Sequence, residues 1–250
     1  MQDLLLGIVQ GITEFLPISS SGHLILFNSF FKESNIDIST LTLLHLGTLG
    51  SILFFYKSEV ISIIINPFEE KDTLIKILIG ILPAGLVGSF TNLSETIDDS
   101  VNILLYTGIA YLIFSMILYL SKNITEGQKN ISQISNTEAL CIGIAQATAL
   151  IPGISRAGIT ICTGLILGYQ QREVAKFSFF MAIPALIGAM IFELDNIMHQ
   201  VSGELLTLLI GFLVSMATGL FALGLLFKIL QTNRLWMFSY YCIFIWLIIL

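Results

Sequence analysis

Residues 10–23 read Gln-Gly-Ile-Thr-Glu-Phe-Leu-Pro-Ile-Ser-Ser-Ser-Gly-His, which sets a carboxylate (Glu14), an imidazole (His23) and three consecutive hydroxyls (Ser19, Ser20, Ser21) inside a strongly apolar region. A second polar cluster, Pro152-Gly-Ile-Ser-Arg-Ala-Gly158, contributes Ser155 and Arg156. A lone arginine at the centre of a membrane helix costs roughly 2.5–3.5 kcal/mol on insertion scales and marks a functional or paired group. Its planar fork suits phosphate or carboxylate. The backbone at Gly153 and Gly158, with the helix start beyond it, can add N–H donors for an anion. The competing reading is an Arg156–Glu14 ion pair that ties the two clusters together, and both can hold in different states.

Glu14 follows Gln10 by four residues, so in a helix both face the same way. Their oxygens can hold a hard divalent cation, Mg2+ or Ca2+, with water and a substrate phosphate completing its shell; the alternative is hydrogen bonding between helices. His23 is a candidate general acid, base or nucleophile, because an imidazole changes charge near neutral pH. Ser20 is the hydroxyl preferred for chemistry, with Ser19 and Ser21 left to contact a substrate or cap the next helix. His45 lies inside the first predicted span without a comparable polar context and is assigned mainly to interhelical hydrogen bonding.

These residues need elements to hold them. With 55% hydrophobic and 11% charged residues and a mean hydropathy of +0.90, the 250-residue chain is far more apolar than a soluble protein, in which about a quarter of residues are charged. The net charge of −6 is dispersed and gives no sign of nucleic-acid binding. Residues 4–16 form an apolar run too short to cross a bilayer core, which takes about 20 residues. Pro17 stops it and a second short run extends from His23 to Phe31, so the pair is expected to return to its side of origin as a re-entrant hairpin. Spans are predicted at 38–56, 74–90 and 101–120, with a charged loop at 57–72 and an acidic one at 91–100.

The polar stretch 122–137 is the joint between halves, and the chain beyond it repeats the beginning. A gap-free shift of 136 positions aligns 4–22 with 140–158 and matches seven of nineteen residues, among them Gln10 with Gln146, Ser19 with Ser155 and Gly22 with Gly158. Spans are then predicted at 177–192, 205–230 and 236–250. The expected fold is therefore an all-α polytopic membrane protein, one integral domain of two inverted repeats (1–121 and 138–250, linked by 122–137). Each repeat has one re-entrant hairpin and three crossings. Opposed hairpins meet near the midplane in such architectures. The face bearing the two termini holds only Lys32, whereas the other holds nine basic residues. The basic face is therefore expected to be cytoplasmic and both termini outside.

The Gln10/Glu14 pair, the 11–23 segment and the 152–158 segment together resemble the bacterial undecaprenyl-diphosphatase family, also called bacitracin-resistance proteins, and the resemblance covers essentially the whole chain. It implies hydrolysis of undecaprenyl diphosphate to undecaprenyl phosphate and inorganic phosphate in the bacterial plasma membrane. The site would open to the outer face, and the reaction would recycle the carrier lipid for peptidoglycan synthesis. Carried over to this chain, the resemblance implies that Glu14 and Gln10 serve the divalent metal and diphosphate, Ser20 and His23 the catalytic tip, and Arg156 the diphosphate. Ser155 and Thr160 are supporting contacts. Gln10 stands where a glutamate is familiar, Ser21 for a threonine and Ala157 for a serine. Either Ser20 or His23 can be the nucleophile, and oligomeric state is left open, a homodimer included. The competing class is a transporter or flippase for a lipid phosphate, because broken helices at the midplane also serve transport.

Overall fold

The computed structural model describes residues 2–31, 38–91, 100–125 and 127–250, with the backbone alone at 2–3, 38–39 and 192–207. The expected outer loops around 32–37 and 92–99, with Lys32, lie outside the described residues. Ten α-helices are described: α1 (Gln2–Phe15), α2 (Ser20–Phe31), α3 (Ile38–Phe55), α4 (Lys57–Ile65), α5 (Lys71–Phe90), α6 (Ile103–Leu120), α7 (Asn136–Thr148), α8 (Arg156–Ile166), α9 (Gln171–Leu230) and α10 (Phe238–Ile249). Among the described residues there is no strand, only an isolated bridge between Lys129 and Tyr169.

Both polar clusters fall at breaks between short helices, where the sequence places them. Pro17 comes two residues after the end of α1, and Ser155 caps α8 by accepting from the Gly158 N–H at 3.3 Å. At the other end of that second pair, Ser135 and Glu138 form a reciprocal capping box that starts α7. Four helical segments are long and apolar enough to cross a bilayer: Lys71–Phe90, Ile103–Asn123, Gln171–Ile191 and Leu208–Leu230. A fifth is added if α3 and α4 count as one broken span. Only 11% of the Lys71–Phe90 window is buried, so most of its apolar side chains lie outside the protein core, as those of a lipid-facing helix do.

Three details differ from the sequence expectation. First, the charged loop at 57–72 begins with helix α4, turned 84° from α3. Its Val60 and Ile63 pack inward while Ile61, Ile64 and Ile65 stay exposed, the pattern of a helix lying in a membrane interface. Second, the backbone stays helical through 193–204, where a loop is expected. A straight helix would set Phe179 and Phe227 about 70 Å apart, yet their ring centroids are 6.3 Å apart. The chain therefore reverses between them, and α9 comprises the two expected limbs. Third, the last expected crossing, 236–250, is a 12-residue helix preceded by a short 3-10 turn, less than a full span.

The helices interlock across the chain. α1 packs on the second limb of α9, α7 packs on α5, and α6 pairs with α10. Backbones approach closely at Gly7 against Gly211 and at Gly143 against Gly80, where an added Cβ would collide with the facing carbonyl oxygen. Small residues are what permit such contacts between membrane helices. An aromatic cluster of Phe15, Tyr56, Phe179, Phe180 and Phe227 fills the centre.

Candidate active site

The two breaks meet. The Gly153 N–H donates to Ser19 Oγ at 3.0 Å, and Ser155 Oγ donates to the Leu16 carbonyl at 3.4 Å. Gly153 takes a φ of 103°, which glycine adopts without the clash that a side chain brings. Ser19 lacks that freedom yet has a φ of 64°. A non-glycine residue there is held by its surroundings at a cost of about 1–3 kcal/mol. The holding groups are visible: the Tyr111 hydroxyl, fully buried on α6, lies 3.0 Å from the Ile18 carbonyl and 3.2 Å from that of Ser19.

Glu14 sits at the centre of the junction. Arg156 Nη2 donates to its Oε1 at 2.5 Å, while Oε2 accepts from Ser20 Oγ at 2.8 Å and from Gln10 Nε2 at 3.0 Å. The ion pair expected from sequence as one alternative is thus formed, between side chains that are 7% and 18% exposed. It leaves two buried polar atoms without a partner, Arg156 Nη1 and Gln10 Oε1. A buried donor on a cation and a buried acceptor beside a carboxylate each incur a desolvation cost. They are ready to receive a bound group. A small cavity of about 50 Å3 opens here, lined by Glu14, Ser19, Ser20, Ser21, Ala149, Ile154, Ser155 and Arg156. A larger one, about 640 Å3, lies against Ile12, Leu16, Ile18 and Tyr241 and includes neither Glu14 nor Arg156. Its lining carries no carboxylate, so the smaller cavity is the better candidate for chemistry.

The remaining sequence candidates divide. Ser21 reaches Ser19 Oγ at 3.3 Å on the rim of the cavity. Thr160 is fully buried and bonded to Ser178 Oγ at 2.6 Å and to the Arg156 carbonyl at 2.8 Å, so it steadies α8 from within. Gly158 carries the capped N–H and packs against Phe114 and Pro17. His23 does not line the cavity. Its Nδ1 lies 2.7 Å from the Ser19 carbonyl and 2.9 Å from the Tyr111 hydroxyl, and its Nε2 lies 2.7 Å from the Tyr241 hydroxyl.

Two residues outside the sequence candidates join the site. Tyr111 is one. His45 is the other: its Nε2 lies 3.9 Å from Glu14 Oε2, across an interface where its sequence context points mainly to interhelical hydrogen bonding. A sequence cue existed, because His45, Thr48 and Ser51 form a polar stripe at three-residue spacing on an apolar helix, and Thr48 and Ser51 are fully buried. Among the described residues no three His, Cys, Asp or Glu side chains converge. Any metal here would draw on Gln10 or on non-protein ligands as well.

Comparison with known proteins identifies the family. The family model described as bacitracin resistance protein BacA matches residues 3–248. An undecaprenyl-diphosphatase of Thermosipho africanus is 39% identical, with 98% of this chain and 97% of the relative covered. Its namesake in Carboxydothermus hydrogenoformans is 37% identical, covering 96% and 92%, and that of Methanococcus maripaludis is 37% identical, covering 97% and 96%. With a match over nearly its whole length and both polar breaks joined at Glu14 and Arg156, the chain belongs to the BacA bacitracin-resistance family.

Proposed function

We propose that the chain hydrolyses undecaprenyl diphosphate to undecaprenyl phosphate and inorganic phosphate at the outer face of a bacterial plasma membrane. It thereby returns carrier lipid to peptidoglycan synthesis and confers bacitracin resistance. The observation that carries this reading is the buried fork of Arg156, one nitrogen on Glu14 and the other unpartnered at a hydroxyl-lined cavity. Phosphate is one of the two ligand classes that such a fork recognises, carboxylate being the other. Ile154 borders both that cavity and an apolar groove of about 350 Å3 along α6, lined by Tyr106, Ile109, Ala110, Ile113 and Ile151. An amphiphile with a charged head and a prenyl tail matches the two together. The relatives bear a hydrolase's name, which speaks against a transporter.

In this reading Ser20 Oγ, held by its hydrogen bond to Glu14, attacks the terminal phosphorus and passes its proton to the Glu14 carboxylate. The bridging P–O bond breaks and undecaprenyl phosphate leaves. Water then cleaves the phosphoserine, releasing inorganic phosphate and restoring the Ser20 hydroxyl. Arg156 offsets the charge that gathers on the transferred phosphoryl oxygens. His23 is a positioning residue, holding the Ser19 carbonyl and with it the tip. The unpartnered Gln10 Oε1 beside Glu14 fits a divalent cation, which when bound would further offset phosphoryl charge.

The two halves are read as inverted repeats with re-entrant hairpins. Support comes from the helices themselves: displaced by the 136-residue shift, α2, α3, α5 and α6 fall on α8, the two limbs of α9, and α10. The reciprocal packing of α1 on the second limb of α9 and of α7 on α5 supports the same reading. In this arrangement the first half supplies Glu14 and Ser20 and the second supplies Arg156.

The test is inorganic phosphate released from undecaprenyl diphosphate by the purified protein in detergent, with and without a divalent-metal chelator. Release that stops on chelation and returns with Mg2+ or Ca2+ is expected. Unchanged release under chelation removes the metal, and no release from folded protein removes the hydrolase.

A further inference from the structure

We propose that His45 is a third protein donor to the divalent-metal site, giving a mixed set of Glu14 Oε2, Gln10 Oε1 and His45 Nε2 that favours a first-row transition ion over Ca2+. This rests on the proposed role of Gln10 and Glu14 as metal donors. Three observations converge on it.

His45 Nδ1 lies 2.8 Å from the Leu41 carbonyl in its own helix. With its proton committed to that oxygen, Nδ1 leaves the lone pair on Nε2. A ring nitrogen anchored on a backbone carbonyl while the other is free is the arrangement that metal-binding histidines adopt. Nε2 then faces Glu14 Oε2 across 3.9 Å. Hydrogen bonds in proteins span about 2.7–3.2 Å, so this gap is too wide for one. It is within the combined reach of two metal–ligand bonds of about 2.0–2.2 Å each, and a small approach of the two side chains sets an ordinary coordination angle. Finally, Gln10 Oε1 is buried without a partner while its Nε2 donates to the same Glu14 oxygen. Half a turn of the amide exchanges the two atoms and presents oxygen to a cation at Glu14.

The donor set also constrains the ion. Ca2+ takes six to eight oxygen ligands, and an imidazole in the shell works against it. First-row transition ions accept imidazole together with carboxylate and carbonyl oxygen. The third donor raises affinity for them without adding negative charge that would repel a diphosphate. The side chain of His45 is 35% exposed, so it is not sealed within the helix packing.

Mn2+ is the probe, because its electron spin reports directly bound 14N. Full-length protein in detergent is titrated with Mn2+ and examined by pulsed electron paramagnetic resonance. The expected result is one bound Mn2+ showing imidazole 14N modulation. The modulation vanishes in wild-type protein grown on 15N-histidine, a measurement that alters no fold. His45→Gln, checked for folding by size exclusion, is expected to lose the 14N modulation and bind Mn2+ at least about 10-fold more weakly. Ca2+ should displace Mn2+ from the variant more readily than from wild type. His23→Gln keeps the modulation, since His23 is engaged by Tyr111 and Tyr241. Mn2+ bound without imidazole modulation, or modulation that survives His45→Gln, overturns the role of His45 alone. Failure of wild type to bind Mn2+, and to respond to chelation in the phosphate assay, overturns the metal reading itself.

Discussion

At the scale of single residues, the site is organised by what Glu14 cannot do alone. One carboxylate takes an arginine on one oxygen and a serine and an amide on the other, and removing any partner leaves a buried group short of a bond. Arg156 differs from the others because its planar fork holds Glu14 on one nitrogen and presents the other to a phosphate oxygen, a geometry that the single nitrogen of a lysine does not reproduce. Arg156→Lys is therefore expected to keep the charge and the fold but lower kcat/KM for phosphate release by at least about 100-fold, the scale of losing one transition-state donor. Phosphate release by purified protein checks this, with size exclusion as the fold control; a loss of only a few-fold would show that point charge, not the fork, is what the site uses. Gln10, Glu14, Ser20 and Arg156 were legible in the sequence because polar groups in an apolar run must be satisfied by something. Tyr111 was not, since an aromatic residue in a membrane span reads as packing and its hydroxyl's partners lie 92 and 93 positions away. The direction of the His23 ring was equally hidden, because it is set by a hydroxyl on α10, 218 positions along the chain.

At the scale of elements, the breaks in the helices matter more than the helices. Pro17 and the capped start of α8 were readable from local chemistry, and so were the long spans from their hydropathy. Helix α4 was not, because Lys57 and Glu59 at its start resemble loop residues while its apolar face meets lipid rather than core. The reversal within α9 was expected, but the polar residues at 193–204 read as a loop, whereas with no proline there the backbone stays helical. The start of α7 offers a separable test. Burial works against ionisation of Glu138, but hydrogen bonds from Lys129, Ser135 and Tyr169 outweigh it and hold the carboxyl down at about 2, against an ordinary value of 4.5. A depressed carboxyl contributes stability that is complete above pH 4.5 and is lost as the pH falls toward 2. Glu138→Gln should thus melt below wild type at pH 7, and the difference should shrink progressively below pH 4.5. Thermal unfolding in detergent across that range measures it, and a difference independent of pH would assign the loss to packing.

At the scale of the molecule, charge sorts with architecture. Lys176 pairs with Glu59 at 3.1 Å, the Lys129 N–H reaches the Gly168 carbonyl at 3.2 Å, and Lys122 lies 4.7 Å from the Trp236 ring centroid. These contacts gather the segments around 57–76, 121–137, 167–176 and 228–236 at one end, and that end carries nine of the eleven lysines and arginines. Basic segments are retained on the cytoplasmic side during insertion, so this end should face the cytoplasm and the start of α6 the exterior. Residues 102 and 128 flank α6, a single crossing, and both are exposed. In a background with Cys141, Cys162 and Cys242 replaced, Asn102→Cys should react in intact cells with a membrane-impermeant maleimide. Gln128→Cys should react only after permeabilisation. The reverse pattern would invert the molecule and turn the cavity's opening toward the cytoplasm. Substrate would then have to be presented from the inner leaflet. Labelling of both positions without permeabilisation would mean that α6 does not cross, and the inverted-repeat reading would fall with it.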